Sequence, residues 1–125
     1  MIRIALLIGA GGFIGTISRY FSQILIQRWF QTLFPLGTMS VNIIGSFIIG
    51  VVYAFSEKSN VLTPEIRLFL TVGFCGGFTT FSSFSYNIMN LAKDYGVLYN
   101  LFYIIGSIVL GVLAVYLGTL TSKLM

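Results

Sequence analysis

The densest chemistry in this chain lies in Gly73-Phe74-Cys75-Gly76-Gly77-Phe78-Thr79-Thr80-Phe81-Ser82-Ser83-Phe84-Ser85. Paired glycines followed by paired threonines predict a break in an apolar helix at Gly76-Gly77/Thr79-Thr80, because Gly lowers helix stability and Thr can satisfy freed backbone groups. A break at membrane depth exposes carbonyl oxygens, which are ligands for a hard cation. No carboxylate lies in the string, so a monovalent ion such as Na⁺ fits better than Ca²⁺ or Mg²⁺. Beyond the break, Phe81 and Phe84 are one turn apart, and Thr80, Ser83, Asn87 and Asn90 form a polar stripe on an adjoining face. Two Phe residues on a membrane helix suit lipid contact. Beside hydroxyls and amides their positive ring edges also suit a small anion. Cys75 has no partner for disulfide or metal chemistry and reads as a small apolar residue.

Three further stretches carry polar groups on apolar ground. Asn42, Gly45, Ser46 and Gly50 fall on one helical stripe, either as glue between helices or as uncharged donors for an anion. Tyr103, Ser107, Gly111, Ala114 and Gly118 form a small-residue face suited to packing, to which two hydroxyls add a possible polar track. Gly11 and Gly15 form a small-xxx-small contact face, which Arg19 extends by one turn. Arg19 either snorkels to the interface or serves an ion path. The string Gly9-Ala10-Gly11-Gly12-Phe13-Ile14-Gly15 imitates a dinucleotide-binding turn. The first acid, Glu57, comes far too late for that fingerprint, and membrane helix follows.

The elements that position these groups follow from composition. The 125 residues are 57% hydrophobic and 8% charged, against about 25% charged in soluble domains. Ten charged side chains cannot cover a soluble globule of this size, so a bilayer must solvate most of the exterior. With no His, one Cys and three acids, a His/Cys metal cluster, a Ser-His-Asp triad and a buried carboxylate pair are excluded. The protein is therefore not expected to be an enzyme. The net charge of +4 is scattered singly over Arg3, Arg28, Lys58, Arg67, Lys93 and Lys123, a pattern of interfacial anchors and not of a nucleic-acid surface.

The charges divide the chain into four expected membrane helices, over about 4–26, 36–55, 68–92 and 96–121, in one all-α domain. The aqueous loop runs from Ser56 to Glu65, where Thr63-Pro64 reads as an N-cap followed by Pro at the first helical position. Arg3 ahead of an apolar stretch imitates a secretory signal, but the stretch runs on through Arg19 to Ile26 without a small-residue cleavage site. An even number of spans puts both termini on one side, with Arg3, Lys58, Arg67 and Lys123. Arg28 and Lys93 mark the other side, joined by Arg19 if it snorkels there. So weak a bias lets the chain insert both ways and pair antiparallel. Four short helices also enclose a polar path poorly, so an oligomer is expected.

Taken together the strings resemble the Fluc family of small fluoride channels. The resemblance is carried by Gly11-Gly12-x-x-Gly15-x-x-x-Arg19-Tyr20, by Gly37-Thr38-x-x-Val41-Asn42-x-x-Gly45-Ser46-Phe47 and by the Gly73–Ser85 string. It implies a multi-pass protein of the cell membrane, an antiparallel dual-topology dimer, two fluoride pores along the protomer interface and a structural Na⁺ at the two-fold centre. By motif position the Na⁺ ligands would be the backbone carbonyls of Gly76 and Thr79. The fluoride pore would draw on Asn42, Thr80, Phe81, Ser83, Phe84, Tyr103 and Ser107, with Arg19 as a vestibule cation. Two positions depart from the family pattern: Thr16 stands where Ala is common, and Asn87 where Glu is common. Some bacteria pair two such homologues in a heterodimer with one working pore, so a paralogue is an alternative partner to a second copy.

A small dual-topology, proton-coupled drug exporter shares this size, span count and weak charge bias. Such coupling needs a carboxylate inside the membrane, and Glu57, Glu65 and Asp94 all lie outside the expected spans. An accessory subunit without transport would need no polar stripes.

Overall fold

The computed structural model describes residues 1–32, 34–58 and 61–124. These residues form α1 (Ile2–Phe30), α2 (Leu36–Lys58), α3 (Pro64–Leu68), a π-helical segment (Phe69–Cys75), α4 (Gly76–Phe78), α5 (Phe81–Asp94), α6 (Val97–Leu120) and a closing 3₁₀ turn (Thr121–Leu124). Among the described residues, four stretches are long and apolar enough to cross a bilayer: Ile2–Phe30, Leu36–Lys58, Pro64–Asp94 and Val97–Leu124. All four run beyond the apolar limits read from sequence, since interfacial charges and aromatic residues remain helical past the hydrocarbon.

Local chemistry sets the ends. Gln31, at φ 36°, closes α1 in the left-handed region, with its N–H on the Gln27 carbonyl. The Gln27 side chain then donates to Thr32 O at 2.8 Å and accepts from Gly37 N at 3.1 Å, stitching the turn into α2. Thr63 caps α3 by accepting from Ile66 N at 3.2 Å, with Pro64 at the first helical position, as its sequence predicts. Part of the loop expected from Ser56 to Glu65 is helical instead. Residues 56–58 continue α2, and Lys58 Nζ donates to the Ser122 carbonyl at the far end of the chain. Residues 59 and 60 of that loop lie outside the described residues. Gly96, at φ 85°, supplies the turn between α5 and α6.

The helices meet through glycine. A Cβ on Gly15 would stand 2.2 Å from Phe74 O, and one on Gly11 2.5 Å from Phe69 O. The small-xxx-small face of α1 therefore lies backbone to backbone against the π-helical segment. Gly50 and Gly118 do the same for α2 and α6, whose Cβ atoms would lie 2.2 Å from Val115 O and 2.3 Å from Phe47 O. Little side-chain core is required: Tyr103, Val41 and Cys75 are the largest fully buried side chains among the described residues. Many Phe, Leu and Ile side chains face outward, an arrangement that only a lipid phase or a partner protein can solvate.

The break in the third span falls at Thr79-Thr80, as read from the sequence, but not at Gly76-Gly77, and that half of the reading is corrected. Gly76 is helical at φ −60°, ψ −36°, and α4 runs through Gly77 to Phe78. The chain leaves the helix at Thr79 (φ −92°, ψ 158°) and Thr80 (φ −148°, ψ 118°). The glycines serve packing: a Cβ on Gly77 would stand 2.6 Å from Gly12 O and 2.8 Å from Thr16 Oγ1. The threonines make the break, because Thr80 Oγ1 accepts from Ser83 N at 3.1 Å as the N-cap of α5. The π-helical stretch before it has no counterpart in the sequence reading.

Candidate functional site

The break faces α2. Asn42 Nδ2 donates to Thr80 O at 3.2 Å, and Asn42 Oδ1 accepts from Thr80 N at 2.8 Å. One side-chain amide thus replaces the two helical partners that Thr80 has lost, and the second N–H of Asn42 stays available. Thr79 Oγ1 donates to Cys75 O at 2.8 Å. Its methyl group packs against Gly45, where a Cβ would lie 2.2 Å from Thr79 Cγ2.

Around this junction a cavity of about 230 Å³ is lined by Asn42, Ser46, Ile49, Thr79, Thr80, Phe81 and Phe84. Four expected pore residues, Asn42, Thr80, Phe81 and Phe84, therefore share one space. The Phe81 and Phe84 rings are 6.0 Å apart and tilted by 51°. Phe81 is 78% exposed, so one protomer leaves this wall open. Ser83, Tyr103 and Ser107 stand outside the lining. Ser83 gives its N–H to the cap, and Ser107 Oγ is buried without a hydrogen-bond partner among the described residues. Tyr103, fully buried, packs its ring 5.2 Å from Phe84 and 5.5 Å from Phe34, the latter edge-on.

The carbonyls at the break divide into two groups. Cys75 O accepts from Thr79, Gly77 O from Arg19 and Thr80 O from Asn42. Gly76 O and Thr79 O receive no hydrogen bond from the described residues, and Gly76 lies on the exposed face of the protomer. Two neutral oxygens without donors fit a weakly held monovalent cation. The described residues hold no His/Cys/Asp/Glu group suited to a divalent metal.

Arg19 is half-buried at this junction. Its Nε donates to Gly77 O at 3.0 Å, and Nη1 donates to Gln23 Oε1 at 3.4 Å. Gln23 Nε2 donates to Thr38 Oγ1 at 3.2 Å, and Asn87 Nδ2 donates to both Thr38 Oγ1 (3.0 Å) and Tyr103 Oη (3.3 Å). A hydrogen-bonded line thus runs from the break to the aromatic cluster and touches every span. Gln23 and Thr38 were absent from the sequence-predicted site. The signal for Gln23 was the spacing Arg19-x-x-x-Gln23-x-x-x-Gln27, three polar residues on one stripe of an apolar helix; Thr38 carried no such signal. A second cavity, of about 190 Å³, lies farther along α5 between Pro35, Asn87, Asn90, Leu91, Asp94 and Tyr95.

Among the described residues, four apolar spans, one of them broken beside a cavity lined by uncharged groups, define a multi-pass membrane protein with the interior of a channel or carrier. The family model for CrcB-like protein, Camphor Resistance (CrcB), matches residues 6–119, and the chain belongs to this family, the one its motifs resemble. It is 47% identical over 119 residues to the fluoride-specific ion channel FluC of Chlorobium phaeobacteroides (strain BS1), covering 95% of this chain and 92% of that protein. The protein of the same name from Bacteroides fragilis (strain YCH46) is 51% identical over 113 residues, covering 86% and 87%. That of Chlorobaculum tepidum is 44% identical over 119 residues, covering 95% and 94%.

Proposed function

We propose that this protein is a fluoride-selective channel that lets fluoride leave the cell passively. The observation that carries the reading is the cavity at the break, where the free N–H of Asn42 and the Phe81 and Phe84 rings converge with no titratable group in the lining. Amide hydrogens and aromatic ring edges stabilise a small anion without a fixed charge that would trap it. The names of the relatives point to the same ion. Proton-coupled drug export is disfavoured because Glu57, Glu65 and Asp94 lie at helix ends, away from the cavity.

The working unit in this reading is an antiparallel dimer of two copies. The exposed Phe81 and the open cavity call for a second wall, and the weak Lys/Arg bias permits both orientations. Gly76 and Thr79 would each give a carbonyl from either copy to one Na⁺ on the two-fold axis. That ion would supply fixed positive charge to hold the interface, without crossing the membrane. Fluoride-electrode recordings from proteoliposomes test the proposal: rapid fluoride efflux without a proton gradient is expected, and Phe81→Ile or Phe84→Ile should slow it sharply. Efflux that requires a proton gradient, or none at all, would overturn it.

A further inference from the structure

Three hydroxyl residues line the cavity at the break, and two of them are already paired. Thr79 Oγ1 donates to Cys75 O at 2.8 Å, while Thr80 Oγ1 accepts from Ser83 N and shares a hydrogen bond of 3.3 Å with Ser82 Oγ. The third, Ser46, is half-buried, and its Oγ has no hydrogen-bond partner among the described residues. A serine inside an apolar helix commonly returns its proton to the carbonyl one turn back. Ser56 on the same helix does so, to Val52 O at 2.8 Å. Ser46 does not. Its Oγ stands beside α6 instead, where a Cβ on Gly111 would lie 3.8 Å away, an ordinary contact. A shielded donor without an acceptor is costly unless something arrives to accept from it.

Ser46 follows Asn42 by one helical turn on the same face of α2, so both meet the cavity from one side. The Thr80 N–H fixes the Asn42 amide, because only Oδ1 can accept it, and Nδ2 then carries the N–H left over for the cavity. We propose that Ser46 is an ion-contact residue: its hydroxyl donates to a fluoride ion in the cavity, beside the Asn42 amide and the Phe81 and Phe84 rings. This inference rests on the channel reading above. An anion entering an apolar span gives up its water donors, and uncharged N–H and O–H groups replace them without trapping it. The phenylalanines offer only ring edges, so the hydroxyl adds a second full hydrogen bond to that of Asn42. The seam between α2 and α6 is shut farther along, where Cβ atoms on Gly50 and Gly118 would lie 2.2 and 2.3 Å from backbone oxygens. At Ser46 and Gly111 it is looser, which leaves the hydroxyl free to turn to the ion.

The test compares wild type, Ser46→Ala and Ser46→Cys, with Ser56→Ala as the control that loses a hydroxyl bonded within its own helix. In proteoliposomes, fluoride efflux should fall about tenfold in Ser46→Ala, equivalent to about 1.4 kcal/mol. It should fall less in Ser46→Cys, whose thiol is a weak donor of similar size, and keep its wild-type rate in Ser56→Ala. A readout independent of flux is the Thr80 amide resonance in detergent micelles, followed as sodium fluoride is added and again with sodium chloride. In wild type it should move with fluoride and not with chloride, and Ser46→Ala should need about tenfold more fluoride. Without fluoride the resonance should keep its wild-type position, since Asn42 is what holds Thr80. Wild-type efflux or a wild-type fluoride titration in Ser46→Ala would overturn the inference. So would a Thr80 resonance displaced in fluoride-free Ser46→Ala, which would make Ser46 a support of the break and not a contact of the ion. If Ser46→Ala does not assemble, Ser46→Cys carries the same two measurements. A wild type that passes no fluoride would sink the channel reading instead, and the titration would still decide whether Ser46 touches the ion.

Discussion

The Nε of Arg19 donates to the main-chain carbonyl of Gly77 at 3.0 Å, so a cation from α1 seals the last helical turn before the third span breaks. That carbonyl lies at the negative end of a short helix, where positive charge is favourable. The same guanidinium orients Gln23 and, through it, Thr38.

Replacing Arg19 with Met keeps the length of the side chain and removes every donor. Gly77 O is then unpaired in a half-buried position, and a hydrogen bond from a charged donor is worth about 1.5–3 kcal/mol. The thermal midpoint in detergent should fall in Arg19→Met, with Arg19→Lys intermediate. An unchanged midpoint in Arg19→Met would show that the contact contributes nothing.

Gly15→Ala places a methyl group 2.2 Å from Phe74 O, a backbone atom that cannot move alone. Overpacking of this kind costs about 1–3 kcal/mol. Gly9→Ala is the control, since nothing lies within 4 Å of its Cβ position. Thermal denaturation of the two variants should separate them clearly, and equal midpoints would contradict the backbone-to-backbone packing of α1.

Asn42→Leu removes both partners of the Thr80 backbone, whose loss costs about 1–3 kcal/mol per buried group. The Thr80 amide should then exchange its hydrogen faster in micelles, while amides in the middle of α6 keep their protection. Protection of Thr80 equal to wild type would mean that Asn42 is not what stabilises the break.

Some of this architecture could be read from the residues and some could not. Charge spacing marked four spans, and Thr63-Pro64 marked the start of the third, because both signals are local. The break falls at Thr79-Thr80, within the stretch marked in the sequence, but Gly76-Gly77 do not share in it, since a glycine pair in a membrane helix either weakens it or admits a neighbour, and only the approach of Gly12 and Thr16 decides between them. Asn42 could be named as a polar residue in an apolar span, but its Thr80 partner is 38 positions away. Gln23 and Thr38 were passed over for the same reason: each looks ordinary until Arg19 and Asn87 come within reach.

Na⁺ removal tests the proposed structural ion. Exhaustive exchange for a large organic cation should lower the thermal midpoint of the dimer and its fluoride flux. Gly76→Val, which sets a branched side chain on the exposed face beside the Gly76 carbonyl, should do likewise, whereas Thr79→Ser should keep the site because the ligands are backbone atoms. Flux and midpoint unchanged without Na⁺ would remove the ion from the account.

The most direct measurement is the reversal potential of single channels in a planar bilayer with fluoride on one side and chloride on the other, at equal pH. A passive path lined by Asn42, Phe81 and Phe84 should carry fluoride and almost no chloride, so current should reverse far toward the fluoride equilibrium potential and stay there when a pH gradient is imposed. Reversal near zero, or a reversal potential that follows the pH gradient, would contradict a fluoride-selective, uncoupled channel.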